Sequence, residues 1–404
     1  MIKLNKALAA YSKDLIASGR AKGKEQIIIK VLKPSEGKGP RYLLEGSDLK
    51  YIKMNSNSYL GLSMHPDVVK AEEEATHEFG VGPGAVRFIS GSYKVHTDLE
   101  ETLAKFHGRE AAMIFSSAYV TSLGVISSLA TSETVIISDA LNHNCIINAM
   151  RMSRPAEKMI YAHNDVEDLK QKLIEAKGKG KRCLVITDGI FSMRGDHAPL
   201  NKIKTLCEKA DLDFEEGVAL IVDDSHGVGA CGTSGRGTEE LTDAKADVLI
   251  GTLGKAFGVN GGYVTGSNEL INFLRESAPT YIYSNPITVS ESAAARKSIQ
   301  ICNSEEGKER LKHLKEMTNR FRNGLIDLGM ETIPGEHPVV PLMVRNTQKT
   351  ANIVKYLLDK GVLATGLNFP VVPKGEEEIR FQINADHTKA DMDRALEILK
   401  HFSE

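Results

Sequence analysis

Cysteine is scarce and unpaired in this sequence, and tryptophan is absent. The 404 residues include five cysteines and no tryptophan. No two cysteines form a CxxC pair and their number is odd, whereas disulfide frameworks and zinc sites use paired, closely spaced cysteines. We therefore expect neither a disulfide framework nor a metal site, and the pattern fits a reducing cytoplasm.

The sequence also lacks an excess of one charge and any long apolar run. Lys and Arg number 51 against 53 Asp and Glu, so the basic excess that phosphate contacts require is missing and no nucleic-acid partner is expected. No apolar run approaches the roughly 20 residues that cross a bilayer, and no signal peptide is recognisable. With 41% apolar and 26% charged residues, the chain has the composition of an ordinary globular protein.

The N-terminus is open to more than one interpretation. Leu4, Leu8, Tyr11 and Leu15 recur at helical spacing among six basic residues and one acid. Such a helix is typical of a transit peptide or a membrane-surface anchor. The favoured interpretation is a helix that packs its leucine stripe on the domain or on a partner subunit.

Short apolar runs alternate with helical patterns from about residue 65 onwards. A helix is predicted from Pro66 to Gly80, and further helices are predicted at 166–176 and 200–210. Apolar runs without alternating polarity indicate strands that are buried on both faces of a mostly parallel sheet, which is an α/β domain. These runs lie at 111–115, 134–138, 183–187, 218–222 and 248–250.

The pattern changes after Asn285-Pro286 and predicts a smaller C-terminal α/β domain. Its predicted elements are a helix at 306–328, a strand at 339–344, a helix at 349–360, a strand at 379–383 and a closing helix that ends at Phe402. We therefore divide the chain into an N-terminal helix and lead-in segment (1–50), a large domain (51–290) and a small domain (291–404).

Two acids and a histidine follow the apolar run at 218–222. Ligands gather at the carboxyl ends of parallel strands, and a carboxylate buried there is costly without a partner. Asp223 could pair with the protonated pyridine nitrogen of pyridoxal phosphate (PLP) and keep the ring an electron sink. His226 could then hydrogen-bond the ring hydroxyl. The alternative is a strand-end turn capped by Asp and Ser.

Lys255 follows the next predicted strand in a glycine-rich stretch, Gly251 to Gly258. Glycines let the backbone approach a ligand closely, and a lysine in a dry pocket beside cationic groups has a lowered pKa and can form a Schiff base. Thr252 is placed to offer a hydroxyl to a phosphate. The alternative is a solvated surface lysine.

Two rival nucleotide-binding motifs do not fit their required context. Residues 227–232 match GxGxxG, but a dinucleotide fingerprint must open a helix, and the glycine-rich 232–237 that follows is no helix start. A nicotinamide-binding dehydrogenase is therefore a remote alternative. Gly254-Lys255 fails as a P-loop, because Leu249 and Ala256 stand where that loop needs glycine and a hydroxyl.

Five strings in sequence order carry a resemblance to a known family. They are 57–62 (NSYLGL), 138–143 (SDALNH), 187–193 (TDGIFSM), 223–226 (DDSH) and 251–255 (GTLGK). Together they resemble the α-oxoamine synthases, PLP-dependent transferases of fold type I that condense an amino acid with an acyl-CoA. The resemblance extends from about residue 51 to the C-terminus.

The resemblance implies cofactor and substrate contacts residue by residue. Lys255 would hold PLP covalently, Asp223 would pair with the pyridine nitrogen, His226 would bond the ring oxygen and His143 would stack on the ring, and these four form the expected catalytic set. The other implied contacts are Ala118, Tyr119 and Thr252 for the phosphate, Ser284 and Asn285 from a second subunit of a homodimer, Ser192 for the cofactor, and Arg380 with Asn57 for the amino acid carboxylate.

Within the family, the strings at 86–89, 370–375 and 379–382 resemble the glycine C-acetyltransferases. This likeness implies condensation of glycine with an acyl-CoA, favouring acetyl-CoA, to give a 2-amino-3-oxo acid and CoA, or the reverse thiolysis. Val86 would crowd a larger amino acid and so favour glycine.

The loops at 82–85 and 258–261 and the segment 31–53 depart from that pattern and keep acyl specificity open. The alternative is a decarboxylating synthase that uses a longer acyl-CoA, similar to serine palmitoyltransferase or 8-amino-7-oxononanoate synthase. A catalytically silent subunit would lack the lysine or the aspartate, and both are present.

Overall fold

The computed structural model describes residues 2–18, 24–369 and 371–402. Its helices are α1 (Ile2–Ala17), α2 (Pro66–Phe79), α3 (Arg87–Ser90), α4 (Lys94–His107), α5 (Ala118–Leu129), α6 (Asn144–Met152), α7 (Val166–Ala176), α8 (Leu200–Ala210), α9 (Thr238–Thr242), α10 (Asn268–Ser277), α11 (Pro279–Ile282), α12 (Val289–Cys302), α13 (Glu305–Asp327), α14 (Thr347–Asp359) and α15 (Lys389–Leu399). Its strands are β1 (Ile28–Leu32), β2 (Arg41–Leu44), β3 (Lys50–Lys53), β4 (Ala111–Phe115), β5 (Thr134–Asp139), β6 (Glu157–Tyr161), β7 (Arg182–Asp188), β8 (Val218–Asp223), β9 (Val248–Thr252), β10 (Gly262–Gly266), β11 (Val339–Met343), β12 (Val362–Leu363), β13 (Thr365–Leu367) and β14 (Glu378–Gln382).

The central sheet has seven strands in the order β4-β10-β9-β8-β7-β5-β6. Only β10 runs antiparallel to its neighbours, so the prediction of a mostly parallel sheet is confirmed. All five predicted strands belong to it. The sequence did not predict β6 and β10. In β6 exposed and buried residues alternate, so the strand shows no continuous apolar run, and β10 is a short segment bounded by glycines.

Helices cover both faces of this sheet, which explains the continuous apolar runs. Successive residues of β5 enter different cores: Ile136 packs with Ile146 of α6, whereas Ile137 packs with Leu169 of α7 and Ile203 of α8. Both strand residues are fully buried. Burial of such a side chain stabilises the fold by about 2 kcal/mol.

The C-terminal elements form a second layer around a three-stranded antiparallel sheet, β11-β14-β13. The long helix predicted at 306–328 is confirmed as α13. The N-terminal strands attach to this part of the chain, because β3 pairs in parallel with β12 and Arg41 forms an ion pair with Asp391 of α15. The domain boundaries near residues 50 and 290 stay a prediction, and Pro370 of the string at 370–375 lies outside the described residues.

The predicted N-terminal helix forms, as α1, but none of its residues is buried. Leu4, Leu8, Tyr11 and Leu15 are between 41% and 68% exposed, so packing of the stripe on its own domain is wrong. Packing on a partner subunit stays a prediction. No helix in the described ranges is long and apolar enough to span a bilayer.

Candidate active site

A cavity of about 360 Å³ lies at the carboxyl ends of the central strands. It collects residues from β8, β9, the start of α5, the start of α6 and the segment before α2. Its lining residues are Asn57, Ser117, Ala118, Tyr119, His143, Cys145, Asp188, Ile190, Asp223, Ser225, His226, Thr252, Gly254, Lys255, Asn260 and Gly261.

Lys255 and Asp223 meet in this cavity because their strands are neighbours. Asp223 ends β8, and Lys255 lies three residues beyond the parallel strand β9. Burial, with a smaller contribution from Arg380, lowers the pKa of Lys255 to about 8. The Asp223 and Asp188 carboxylates oppose this effect. This direction agrees with the lowered lysine pKa that the sequence predicted, and the amine can lose its proton near neutral pH.

Asp223 is 6% exposed and its carboxylate is held by three donors. The Ser122 hydroxyl donates to Oδ2 at 2.8 Å, the Cys145 thiol approaches the same oxygen at 3.6 Å, and the Ser225 amide donates to Oδ1 at 3.1 Å. These donors fix the orientation of the carboxylate, so the protein presents a fixed acceptor to the cavity.

His226 is buried, and one ring nitrogen is already occupied. Its Nδ1 lies 2.8 Å from the Tyr59 hydroxyl, and its carbonyl accepts a hydrogen bond from His337 Nε2 at 2.8 Å. Burial holds the pKa of His226 well below its usual value, and Lys255 and Arg380 add to this effect. The ring is therefore neutral at pH 7, and Nε2 has no hydrogen-bond partner among the described residues.

His143 both caps a helix and lines the cavity. Its Nδ1 accepts a hydrogen bond from the Cys145 amide at 3.2 Å at the start of α6. Its own amide donates to Asp188 Oδ2 at 3.0 Å. Burial lowers the pKa of His143, so this ring too is neutral.

The N-terminus of α5 points its first amides at the cavity. Ser117 caps the helix, and the amides of Ala118 and Tyr119 have no carbonyl partner within it. The start of α5 packs closely against Gly262 of β10. Only glycine allows this contact, because a Cβ atom at position 262 would lie 2.3 Å from the Ala118 nitrogen. Thr252 lies opposite as the last residue of β9, and the site suits an anion.

Asn57 and Arg380, predicted to bind a carboxylate, are brought together from distant parts of the sequence. Arg380 Nη2 donates to Asn57 Oδ1 at 2.8 Å, and the same oxygen lies 3.2 Å from the Tyr59 hydroxyl. Arg380 is 8% exposed and does not itself line the cavity.

Besides Arg380, four predicted site residues lie outside the cavity lining of the single chain. Ser192 is half-buried in the turn that follows Ile190, and Val86 is half-buried at the start of α3. Ser284 is half-buried and Asn285 is exposed. Their proposed contacts stay predictions.

Several cavity residues were missed by the sequence reasoning. Asp188 ends a predicted strand, so the rule that singled out Asp223 could have found it. Ser225 stands in the same string as Asp223 and His226, so the same rule could have found it. Ser122 and Tyr59, which bond Asp223 and His226 from outside the lining, give no such signal, because their positions follow from tertiary contacts. The Ser225 hydroxyl is buried without a hydrogen-bond partner.

The GxGxxG string forms a loop, as the rejection of a nucleotide site requires. Residues 227–237 contain turns and bends, and the next helix is the five-residue α9. The second acid, Asp224, stabilises this loop, since its two oxygens accept from the Thr238 hydroxyl at 2.6 Å and the Thr238 amide at 2.7 Å.

The donor set of the cavity fits PLP. One cavity contains the Lys255 amine for the aldehyde and the Asp223 carboxylate for the pyridine nitrogen. It also contains the free Nε2 of His226 and the unpartnered hydroxyl of Ser225. The N-terminus of α5, with Thr252 nearby, suits the phosphate. In the described part of the chain, no group of three or more His, Cys, Asp or Glu side chains could hold a metal ion.

Residues 50–399 match the family model for aminotransferases of class I and II. The chain belongs to this family and has the fold type I architecture of PLP-dependent transferases, so its cofactor is PLP.

The curated relatives narrow the family further. The 8-amino-7-oxononanoate synthase of Thermosipho melanesiensis is 40% identical over 86% of this chain and 87% of its own length. The mitochondrial 2-amino-3-ketobutyrate coenzyme A ligase of Bos taurus is 39% identical over 89% of this chain and 84% of its own.

Solved structures of serine palmitoyltransferase share the whole fold. The S. paucimobilis enzyme with a bound PLP-myriocin aldimine has a TM-score of 0.88 at 26% identity and covers 99% of this chain and 98% of its own. The Sphingomonas wittichii enzyme has a TM-score of 0.88 at 28% identity, covering 98% and 96%. All these proteins are α-oxoamine synthases, and this chain is a member of that group, whose substrates are an amino acid and an acyl-CoA.

Proposed function

We propose that the protein condenses glycine with an acyl-CoA, preferentially acetyl-CoA, to give a 2-amino-3-oxo acid and CoA. The observation that carries the proposal is the cavity in which the Lys255 amine lies among Asp223, His226 and Asn57, with Arg380 behind Asn57 and bonded to it. The reaction is reversible, so thiolysis of the product by CoA is expected at the same site.

Lys255 is the proposed covalent anchor and general base. When bound, PLP supplies an electron sink for the negative charge that develops at Cα. Lys255 Nζ removes the Cα proton, and a pKa of about 8 keeps a sizeable fraction of the amine neutral at pH 7 to 8. Asp223 would hold the pyridine nitrogen and His226 would bond the ring oxygen.

Arg380 and Asn57 are the proposed receptors of the amino acid carboxylate. A guanidinium binds a carboxylate through two parallel hydrogen bonds, and Asn57 orients it through the 2.8 Å contact.

A second protomer completes the site in this proposal. Ser284 and Asn285 lie outside their own chain's cavity and would reach the phosphate of the neighbouring protomer. Ser192 is the proposed further cofactor contact and Val86 the proposed steric limit on the amino acid. We also propose a cytoplasmic location, which the five free cysteines support.

The relatives support two acyl donors. The 39% identical 2-amino-3-ketobutyrate coenzyme A ligase supports glycine and acetyl-CoA. The 40% identical 8-amino-7-oxononanoate synthase supports the second candidate, a decarboxylating condensation with a longer acyl-CoA.

The two candidate reactions differ in whether the enzyme itself releases CO2 from the amino acid carboxylate. The purified protein is assayed with glycine, alanine or serine against acetyl-CoA and longer acyl-CoAs, while free CoA and CO2 are both measured. We expect the highest rate of CoA release with glycine and acetyl-CoA, with CO2 lagging behind CoA, because the 2-amino-3-oxo acid leaves the enzyme with its carboxylate and, as a β-keto acid, loses CO2 only afterwards in solution. Immediate borohydride reduction should therefore trap a 2-amino-3-hydroxy acid. CO2 that keeps pace with CoA release from a longer donor, with no trapped hydroxy acid, would establish the second candidate, and Lys255→Ala supplies the baseline.

A further inference from the structure

A cluster around His163 lies beside the cavity and is not used by the proposed reaction. His163 follows β6, and both of its ring nitrogens face carboxylates. Nδ1 lies 3.0 Å from Asp139 Oδ1 and Nε2 lies 3.1 Å from Asp196 Oδ2. The Phe191 ring packs edge-on against the imidazole at a centroid distance of 4.4 Å.

This geometry makes His163 a cation. An ionised carboxylate only accepts hydrogen bonds, so a ring that bonds two carboxylates must carry protons on both nitrogens. Burial lowers the pKa of His163, but the bonds to Asp139 and Asp196 outweigh it and raise the pKa to about 9. Two other groups face the cluster. Arg194 Nε lies 3.1 Å from Asp196 Oδ2, and the side-chain nitrogen Nδ2 of Asn164 lies 3.3 Å from His163 Nε2.

The two carboxylates belong to different segments, and each segment leads into the cavity. Asp139 starts the loop that ends at His143, and its oxygens also accept from the Leu141 amide at 2.8 Å and the Asn164 amide at 2.9 Å. Asp196 closes the turn at 190–197, where its carbonyl accepts from the Phe191 amide at 2.9 Å.

We propose that His163 is a positioning residue whose cation clamps the 139–143 loop to the 190–197 turn and thereby sets where the cavity wall at Ile190 and the neighbouring Ser192 stand. The inference rests on the proposed function in taking this cavity as the cofactor site.

The turn depends on the clamp more than the loop does. The loop has a second anchor, because Asn142 donates to the Ile186 carbonyl at 2.8 Å and accepts from the Asp188 amide at 2.7 Å. The turn has fewer ties to its surroundings, among them the His163 bond and a 3.2 Å bond from Asn164 to the His197 carbonyl. Loss of the cation should therefore loosen 190–198 first and leave 139–143 largely in place.

The test compares hydrogen exchange and PLP affinity in His163→Asn, Asp196→Asn and the wild type. His65→Asn is the matched control. His65 Nε2 lies 3.1 Å from a single carboxylate, that of Glu306, and His65 does not line the cavity. We expect both test variants to lose amide protection across 190–198 and to bind PLP about tenfold more weakly, the scale of one charged hydrogen bond. The control should retain wild-type values in both measurements.

The wild type provides an independent arm that needs no substitution. Protection of 190–198, corrected for intrinsic exchange, should fall as pH rises through about 9, where His163 loses its second proton. Unchanged protection and affinity in Asp196→Asn, together with a flat wild-type pH profile, would overturn the proposal even if His163→Asn did not fold. A wild type that binds no PLP would instead refute the proposed function, and exchange in the unliganded protein would still decide the clamp.

Discussion

At the scale of single residues, the cavity controls protonation through burial and a few neighbours. Lys255 is driven toward its neutral form by burial, and Asp223 and Asp188 oppose this only in part. His226 and His143 are neutral for the same reason, because burial disfavours their charged forms. The site thus combines an amine of lowered pKa, neutral imidazoles and a held carboxylate, which suits proton removal from a weak carbon acid.

The lysine pKa predicts how the cofactor-free protein captures PLP. Only the neutral amine attacks an aldehyde, so the capture rate should rise about tenfold per pH unit below pH 8 and level off above it. Stopped-flow absorbance between pH 6 and 10 measures this rate. A rate that keeps rising about tenfold per pH unit up to pH 10 would mean that Lys255 has an ordinary pKa. Lys255→Ala should show no covalent capture at any pH.

Tyr59 should affect both halves of the site. Its hydroxyl lies 2.8 Å from His226 Nδ1 and 3.2 Å from Asn57 Oδ1, so Tyr59→Phe leaves both without this partner. We expect kcat/KM to fall by about tenfold, corresponding to ~1.4 kcal/mol, with wild-type folding. Tyr281→Phe, which removes a hydroxyl that Arg275 bonds outside the cavity, is the control. Equal kinetics for the two variants would exclude a role for Tyr59.

At the scale of elements, the parallel strands bring the chemistry together. The sequence predicted β8 and β9 because both faces of each strand are covered, which leaves continuous apolar runs. The rule that ligands bind at the carboxyl ends of parallel strands then selected Asp223, His226 and Lys255, and the structure brings these three residues together. Tyr59 and Ser122 could not be predicted, since their contacts depend on how distant segments pack. The antiparallel strand β10 was hidden by its glycines, although one of them lets α5 approach the sheet.

That glycine gives a prediction for the α5 N-terminus. In Gly262→Ala the new methyl group would lie 2.3 Å from the Ala118 nitrogen, so the helix start must move. We expect a loss of about 1 to 3 kcal/mol in the free energy of unfolding. The affinity for PLP should fall more than the affinity for phosphate-free pyridoxal, so the preference for PLP over pyridoxal should be smaller than in the wild type. Equilibrium denaturation and cofactor titration measure the two effects.

Gly82→Ala is the matched control for this change, since a Cβ atom at Gly82 meets nothing within 4 Å. An unchanged preference for PLP over pyridoxal in Gly262→Ala would separate the α5 N-terminus from phosphate binding.

At the scale of the whole molecule, two features suit a second protomer. The apolar stripe of α1 is exposed, and the segment that carries Ser284 and Asn285 lies outside its own chain's cavity. A protomer that supplies these groups to its partner would explain both features, and it would make each active site a composite of two chains.

Hybrid dimers test this arrangement. Lys255→Ala and a double variant, Ser284→Asp with Asn285→Asp, should each be inactive alone, the second because its carboxylates repel the phosphate. Mixing and refolding the two should restore activity, because half of the hybrid dimers' sites contain neither change. Absence of recovery despite hybrid formation, checked by mass spectrometry, would contradict shared sites.

The visible absorption spectrum of the purified protein, recorded while glycine and then acetyl-CoA are added, tests most directly whether the Lys255 cavity carries PLP and joins an amino acid to an acyl-CoA. We predict a lysine-bound cofactor band that shifts with glycine and changes again on addition of the thioester as CoA is released. This band should be missing in Lys255→Ala. A colourless protein that takes up no added PLP, or a band that persists in Lys255→Ala, would contradict this prediction.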